Sequence, residues 1–168
     1  MKTYLVMTVL GPDRPGLVSS LSAVVADHGG NWLESRMARL AGQFAGILRV
    51  ECGDQEVDGL TAALKTLEEN GLSIHLAKEH EGAPLPHHTV TIDVVGNDRP
   101  GIVRELAAAI TAAGGNVEEL VTGLESGAMI GQPLFRASGT VSLPETAAVE
   151  TLTAAIEGLG ADLSVEVK

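Results

Sequence analysis

Residues 11–18 read GPDRPGLV, and residues 96–103 read GNDRPGIV. Sliding the chain by 85 positions superimposes residues 11–32 on residues 96–117, with 11 identities among 22 pairs. The identities gather at the two ends of this stretch. Gly11, Asp13, Arg14, Pro15, Gly16 and Val18 stand opposite Gly96, Asp98, Arg99, Pro100, Gly101 and Val103, while Gly29, Gly30 and Asn31 stand opposite Gly114, Gly115 and Asn116. A copy of about 80 residues is too long for a solenoid repeat and long enough for a small core of its own, so two homologous domains are predicted within the 168 residues.

The punctuation around each copy predicts the same order of elements. Residues 3–10 (TYLVMTVL) and 89–95 (TVTIDVV) are short, apolar, β-branched runs ended by glycine, the signature of a strand. After the DRPG turn, Leu17, Leu21, Val24 and Val25 fall at helical spacing, as do Ile102, Val103, Leu106 and Ile110. The glycine pairs 29–30 and 114–115 stop these helices. Strands are predicted over 31–40 and 44–51, a helix over 56–70 and a strand over 72–78; the second copy gives strands over 116–124 and 133–143, a helix over 145–158 and a strand over 161–167. Each copy is therefore βαββαβ, an α+β ferredoxin-like sandwich with helices on one face of an antiparallel sheet. The predicted division is a first domain over 1–80, a Gly- and Pro-containing linker over 81–88 and a second domain over 89–168. The first strand is apolar on both faces, with Tyr4, Val6 and Leu10 as well as Leu5, Met7 and Val9, which implies that its outer face is covered too, by a sister domain or a second chain.

Composition narrows the function. The formal charge is −11, from 11 Lys and Arg against 22 Asp and Glu, and both halves are acidic. Such a chain repels a nucleic-acid backbone, and four aromatic residues are too few for a base-stacking platform, so no direct contact with nucleic acid is expected. The single cysteine, Cys52, leaves no internal disulfide and fits a reducing cytoplasm. No run approaches the roughly 20 apolar residues of a membrane span, and the apolar start recurs internally before the second DRPG, which marks it as a strand rather than a leader. His80, His87 and His88 fall at the linker without a framework for metal ligation, and no nucleophile stands beside a base, so neither a metal, a cofactor nor an enzymatic site is expected.

The repeated turn is the candidate site. Backbone amides and the positive end of the helix dipole meet there, a setting suited to a carboxylate. Asp13 and Asp98 can accept from an ammonium group, and Asn31 and Asn116 offer an acceptor and donors. A zwitterionic amino acid carries the complementary charges. Taken alone, the same residues are explained more simply by geometry: Asp caps the helix, Pro and Gly shape its entry, and Asn closes the glycine turn.

DRPG followed at fixed spacing by Gly-Gly-Asn, twice, inside a βαββαβ order resembles the ACT family of amino-acid-sensing regulatory domains. The resemblance covers both halves of the chain. Within the family it is similar to stand-alone tandem regulators of glycine cleavage genes, on the runs GQFAGILRVE (42–51) and GQPLFRASGTVSLP (131–144) and on the Gly-rich ESGAMIGQ (125–132). The resemblance implies ligand-contacting positions at Asp13, Asn31, Asp98 and Asn116, with Gly11, Gly16, Gly96 and Gly101 allowing close approach and Arg14 and Arg99 in the same loops. It further implies a small amino acid, such as glycine, as ligand, a homo-oligomer, and a protein partner of the LysR type through which transcription is controlled. The alternatives are a ligand-free interaction or dimerisation module, or a detached regulatory subunit of an amino-acid metabolic enzyme.

Overall fold

The computed structural model describes residues 1–80, 82, 85–126 and 131–168. Part of the linker assignment (Glu81, Ala83 and Pro84) and the centre of the 125–132 segment lie outside the described residues. The chain separates into two compact units, Met1–Gly82 and Ala83–Lys168.

Unit 1 runs β1 (Lys2–Pro12), α1 (Leu17–Asp27), β2 (Asn31–Leu40), β3 (Gln43–Gly53), a 3-10 turn (Asp54–Glu56), α2 (Val57–Glu68) and β4 (Ser73–Lys78). Its antiparallel sheet has the order β2-β3-β1-β4. Unit 2 repeats this as β5 (His87–Asn97), α3 (Ile102–Ala112), β6 (Asn116–Ser126), β7 (Pro133–Pro144), α4 (Val149–Glu157) and β8 (Ser164–Val167), in the order β6-β7-β5-β8. This is the α+β, twice βαββαβ arrangement that the repeat predicts.

Side-chain alternation along the strands explains the core. In β1, Leu5, Met7 and Val9 point inward; in β3, Phe44, Leu48, Val50 and Cys52 do so, and α1 and α2 lay Leu17, Leu21, Val25, Leu60 and Leu64 over them. Unit 2 builds the same layer from Val90, Ile92, Val94, Val141, Leu143, Ile102, Leu106, Ile110, Leu152 and Ile156. The repeated Gly-Gly has two separate causes. Gly29 and Gly114 take φ of 69° and 82°, the left-handed exit of a helix, whereas Gly30 and Gly115 have no room for a side chain: an added Cβ would lie 2.8 Å from the Val25 carbonyl and 2.9 Å from Val141.

Several expectations shift. β5 begins at His87, so His87 and His88 are strand residues and not linker. Val103 is exposed and turned away from the core that Ile102 and Leu106 enter. α4 starts at Val149 instead of residue 145, because the chain first turns after Pro144. The last strand starts at Ser164 instead of residue 161, and the preceding residues form a turn closed by the Leu163 N–H on the Gly160 carbonyl at 3.3 Å. On the outer face of the first sheet, Leu10 and Ile47 remain about half exposed.

Candidate functional site

β1 delivers the chain to the DRPG turn, and the Asp13 N–H donates to the Gly42 carbonyl at 2.9 Å, tying the turn to the β2–β3 hairpin. Gly16 is the N-cap of α1 with φ 86° and ψ 5°, and Gly101 caps α3 at φ 86° and ψ 1°. The left-handed cap favours glycine in both copies. Neither helix has a side-chain cap. Asp13 and Asp98 are thus not consumed by capping, which removes the simplest structural reason for an acidic residue in the repeat. The first turn of α1 keeps its N–H groups and the positive end of its dipole without a capping acceptor.

Asp13 is brought against a residue that sequence reasoning missed. Arg39, near the end of β2, donates through Nη1 to the Asp13 carboxylate at 3.4 Å, with the guanidinium mostly exposed and the carboxylate one-quarter exposed. Arg14 is exposed on the same turn. The corner of unit 1 therefore holds one carboxylate, two guanidinium groups and an uncapped helix start. An ion pair this long and exposed contributes little to stability, so Arg39 is available to another anion.

Asn31 is not part of this corner. It pairs across β3 Glu51 to the row of Tyr4, whereas Pro12 pairs with Gln43 at the other end of the sheet. Eight residue steps separate the two rows, on the order of 26 Å. α1 carries the chain back across the sheet before β2 begins, so a single unit cannot present Asp13 and Asn31 to one small ligand. Asn116, opposite Ser142 at the start of β6, is displaced from Asp98 in the same way. Gly11 and Gly96 do allow a close approach, but of their own chain. A Cβ at Gly11 would lie 2.8 Å from the Gly71 carbonyl and 2.9 Å from Leu72 Cδ2, and one at Gly96 would collide with Leu163.

The second corner is built alike and wired differently. The Asp98 N–H donates to the Pro133 carbonyl at 3.1 Å. Arg99 turns inward, donating through Nη2 to the Leu159 carbonyl at 3.0 Å and pairing with Glu105 at 2.5 Å. The Asn97 N–H donates to Asp162 Oδ2 at 2.9 Å. That bond, then the Asp162 backbone amide and the Arg99 charge, holds the Asp162 carboxyl below the usual carboxylate range.

Elsewhere two histidine rings have local partners. His28 Nδ1 lies 2.9 Å from the Val24 carbonyl and His87 Nδ1 2.9 Å from the Leu85 carbonyl. Burial, with Glu56 and Asp54 nearby, pushes the Cys52 thiol up, away from the thiolate form a nucleophile needs. Among the described residues no group of three or more His, Cys, Asp or Glu is arranged to hold a metal. No helix among them is long and apolar enough to cross a membrane.

Against known proteins, residues 3–77 match the family model of the ACT domain. The glycine cleavage system transcriptional repressor of Escherichia coli (strain K12) is 31% identical over 124 residues, which is 71% of this chain and 64% of the repressor, so less than two thirds of that relative's length is spanned. A UPF0237 protein of Methanopyrus kandleri is 30% identical over 90 residues, 52% of this chain and 99% of its own length. Among solved structures, an unknown protein from Galdieria sulphuraria aligns with a TM-score of 0.87 at 26% identity, covering 100% of this chain and 98% of that one. A structure assigned as a glycine cleavage system transcriptional repressor shares the fold, with a TM-score of 0.67 at 17% identity over 100% of this chain and 97% of that one. With its repeated DRPG turn and Gly-Gly-Asn exit inside two βαββαβ units, the chain carries an ACT domain over residues 3–77, repeats that fold in unit 2, and is similar to the glycine cleavage repressor.

Proposed function

We propose that this chain is an amino-acid-responsive regulator, that a small amino acid such as glycine binds at the DRPG corner of unit 1, and that the response passes to another protein. The observation that carries the reading is the Asp13–Arg39 pair beside the uncapped start of α1. An incoming zwitterion exchanges that loose pair for two charge-assisted contacts, its ammonium on Asp13 and its carboxylate on Arg39 and the first-turn N–H groups. Arg14 adds a second cation, and Gly16 leaves the approach open, since an added Cβ there meets nothing within 4 Å. A ligand that bridges the turn and the β2–β3 hairpin favours one arrangement of these elements, and a partner that distinguishes the arrangements is thereby controlled.

The output we propose is transcriptional control of glycine cleavage genes, as the name of the Escherichia coli relative suggests. A charge of −11 makes DNA itself a poor target and favours a protein intermediary, for which a DNA-binding activator of the LysR type is the candidate. Such a role places the chain in the cytoplasm. Leu10 and Ile47 on the outer sheet face favour a homo-oligomer as the working form. Isothermal titration of the chain with each of the twenty amino acids tests the reading. Heat from at least one, lost in Asp13→Ala and reduced in Arg39→Ala, supports it; no heat from any of them removes the sensing role.

A further inference from the structure

The two DRPG corners differ in a set of residues that change together. Asn97 of unit 2 stands where unit 1 has Pro12, and Asp162 stands where unit 1 has Gly71, as the strand registers and the neighbours of Gly11 and Gly96 both establish. In unit 2 an N–H is present and a carboxylate accepts it at 2.9 Å. In unit 1 the proline has no N–H to donate and the glycine has no side chain to accept one, so donor and acceptor vanish as a pair. The cations differ in the same sense. Arg99 is drawn onto the Leu159 carbonyl and Glu105, while its counterpart Arg14 is exposed and, among the described residues, makes no ion pair; Glu105 itself replaces Ser20. Leu124 of β6, opposite Phe135, takes the place that Arg39 holds opposite Phe44. Even the helix start is used: the Ile102 N–H reaches the Arg99 carbonyl at 3.3 Å, and the equivalent bond from Leu17 is not formed.

We propose that the unit 2 corner is closed by its own chain, through the Asp162–Asn97 and Arg99–Leu159 contacts, so that unit 1 alone is open to an amino acid. Around the first turn Arg14 and Arg39 face one aspartate; around the second, Arg104 and the already engaged Arg99 face three carboxylates, Asp98, Glu105 and Asp162. A free carboxylate approaching the second corner meets more like charge than at the first and finds the Asn97 N–H and Arg99 Nη2 already engaged. The closure is a contact within unit 2 and stands by itself; its consequence for ligand number rests on the function proposed above.

The test uses the full-length chain labelled with 15N, as wild type, Asp162→Gly and Asp162→Asn, with glycine as the probe. Closure predicts that the wild-type Asn97 amide shifts as Asp162 titrates in acid and that this titration is absent in Asp162→Asn. In Asp162→Gly the Asn97 amide is expected to exchange with solvent roughly tenfold faster or more, the factor set by losing one hydrogen bond to a charged group. An Asn97 amide indifferent to Asp162 overturns the closure whether or not glycine binds. With glycine, the amides of residues 13, 14 and 16–18 are expected to respond in both chains, and those of residues 97–99 and 101–103 only in Asp162→Gly. A wild-type response of equal strength at both corners, or an unresponsive second corner in Asp162→Gly while the first responds, overturns the inference. Silence at both corners counts against the proposed function, and the acid titration of Asn97 still decides the closure.

Discussion

Gly11 at the end of β1 and Gly16 at the start of α1 lie five residues apart, yet different physics requires each of them. Gly16 has φ 86° and open space around it, so alanine there costs only the left-handed backbone, about 1–2 kcal/mol. Asparagine tolerates that conformation better than alanine does, so Gly16→Asn is expected to cost less than Gly16→Ala. Gly11 has ordinary φ and no space: its Cβ would lie 2.8 Å from a backbone carbonyl oxygen, which cannot swing aside as a side chain can. Overpacking of this kind costs about 1–3 kcal/mol for small insertions and grows with size, so Gly11→Asn is expected to be worse than Gly11→Ala. Trp32 is the single tryptophan and packs against the core of unit 1, so its fluorescence during urea unfolding follows that unit. For a unit of this length each kcal/mol lowers the thermal midpoint by about 4–8 °C, well within measurement. The two sites must rank alanine and asparagine in opposite orders. The same order at both sites refutes the assigned turn geometry, and with it the open approach to the start of α1.

Two further outcomes follow from unit-specific contacts. Hydrogen bonds from Arg136 at 2.9 and 3.2 Å hold the Asp93 carboxyl below its usual range, so the ionised form is favoured in the folded state. The resulting stabilisation is complete above the unfolded carboxylate value and fades as pH falls below about 4 toward the folded value; acid unfolding of Asp93→Asn, followed by circular dichroism, should lack that component. Cys52 is 2% exposed and its thiol is pushed up by burial, so labelling with a thiol reagent at pH 8 should be slow in the folded chain and complete in denaturant; fast labelling of the folded chain contradicts the packing of β3.

The architecture was legible because it rests on patterns the sequence states twice. Strand alternation, helical spacing and the Gly-Gly exits each reflect a local geometric need, and Gly30 and Gly115 are fixed by the very side chains, Val25 and Ile110, that the helical spacing marks as core. The site was less legible because it depends on which strand ends meet. Arg39 reaches Asp13 only through the hairpin turn at Ala41-Gly42, where both residues take positive φ and fold β2 back onto β3. Recurrence after the helix groups Asn31 with Asp13, although a helix that returns across the sheet puts it at the opposite end. Asp162 was hidden inside a predicted strand, since the apolar alternation of 161–167 reads straight through the turn that aims its carboxylate at Asn97. One signal for it was available. The repeat breaks at Pro12 and Asn97, and a break that restores an N–H implies that an acceptor was supplied.

The account stands or falls on where an amino acid touches the chain. Amide shifts of the 15N-labelled protein, titrated with glycine and then with the other nineteen amino acids, measure that directly. The account predicts that Asp13, Arg14, Gly16, Leu17 and Val18 move together with Arg39 for at least one of them, and that Asp13→Ala abolishes the movement. Shifts confined to other parts of either unit, or the same response in Asp13→Ala, contradict it.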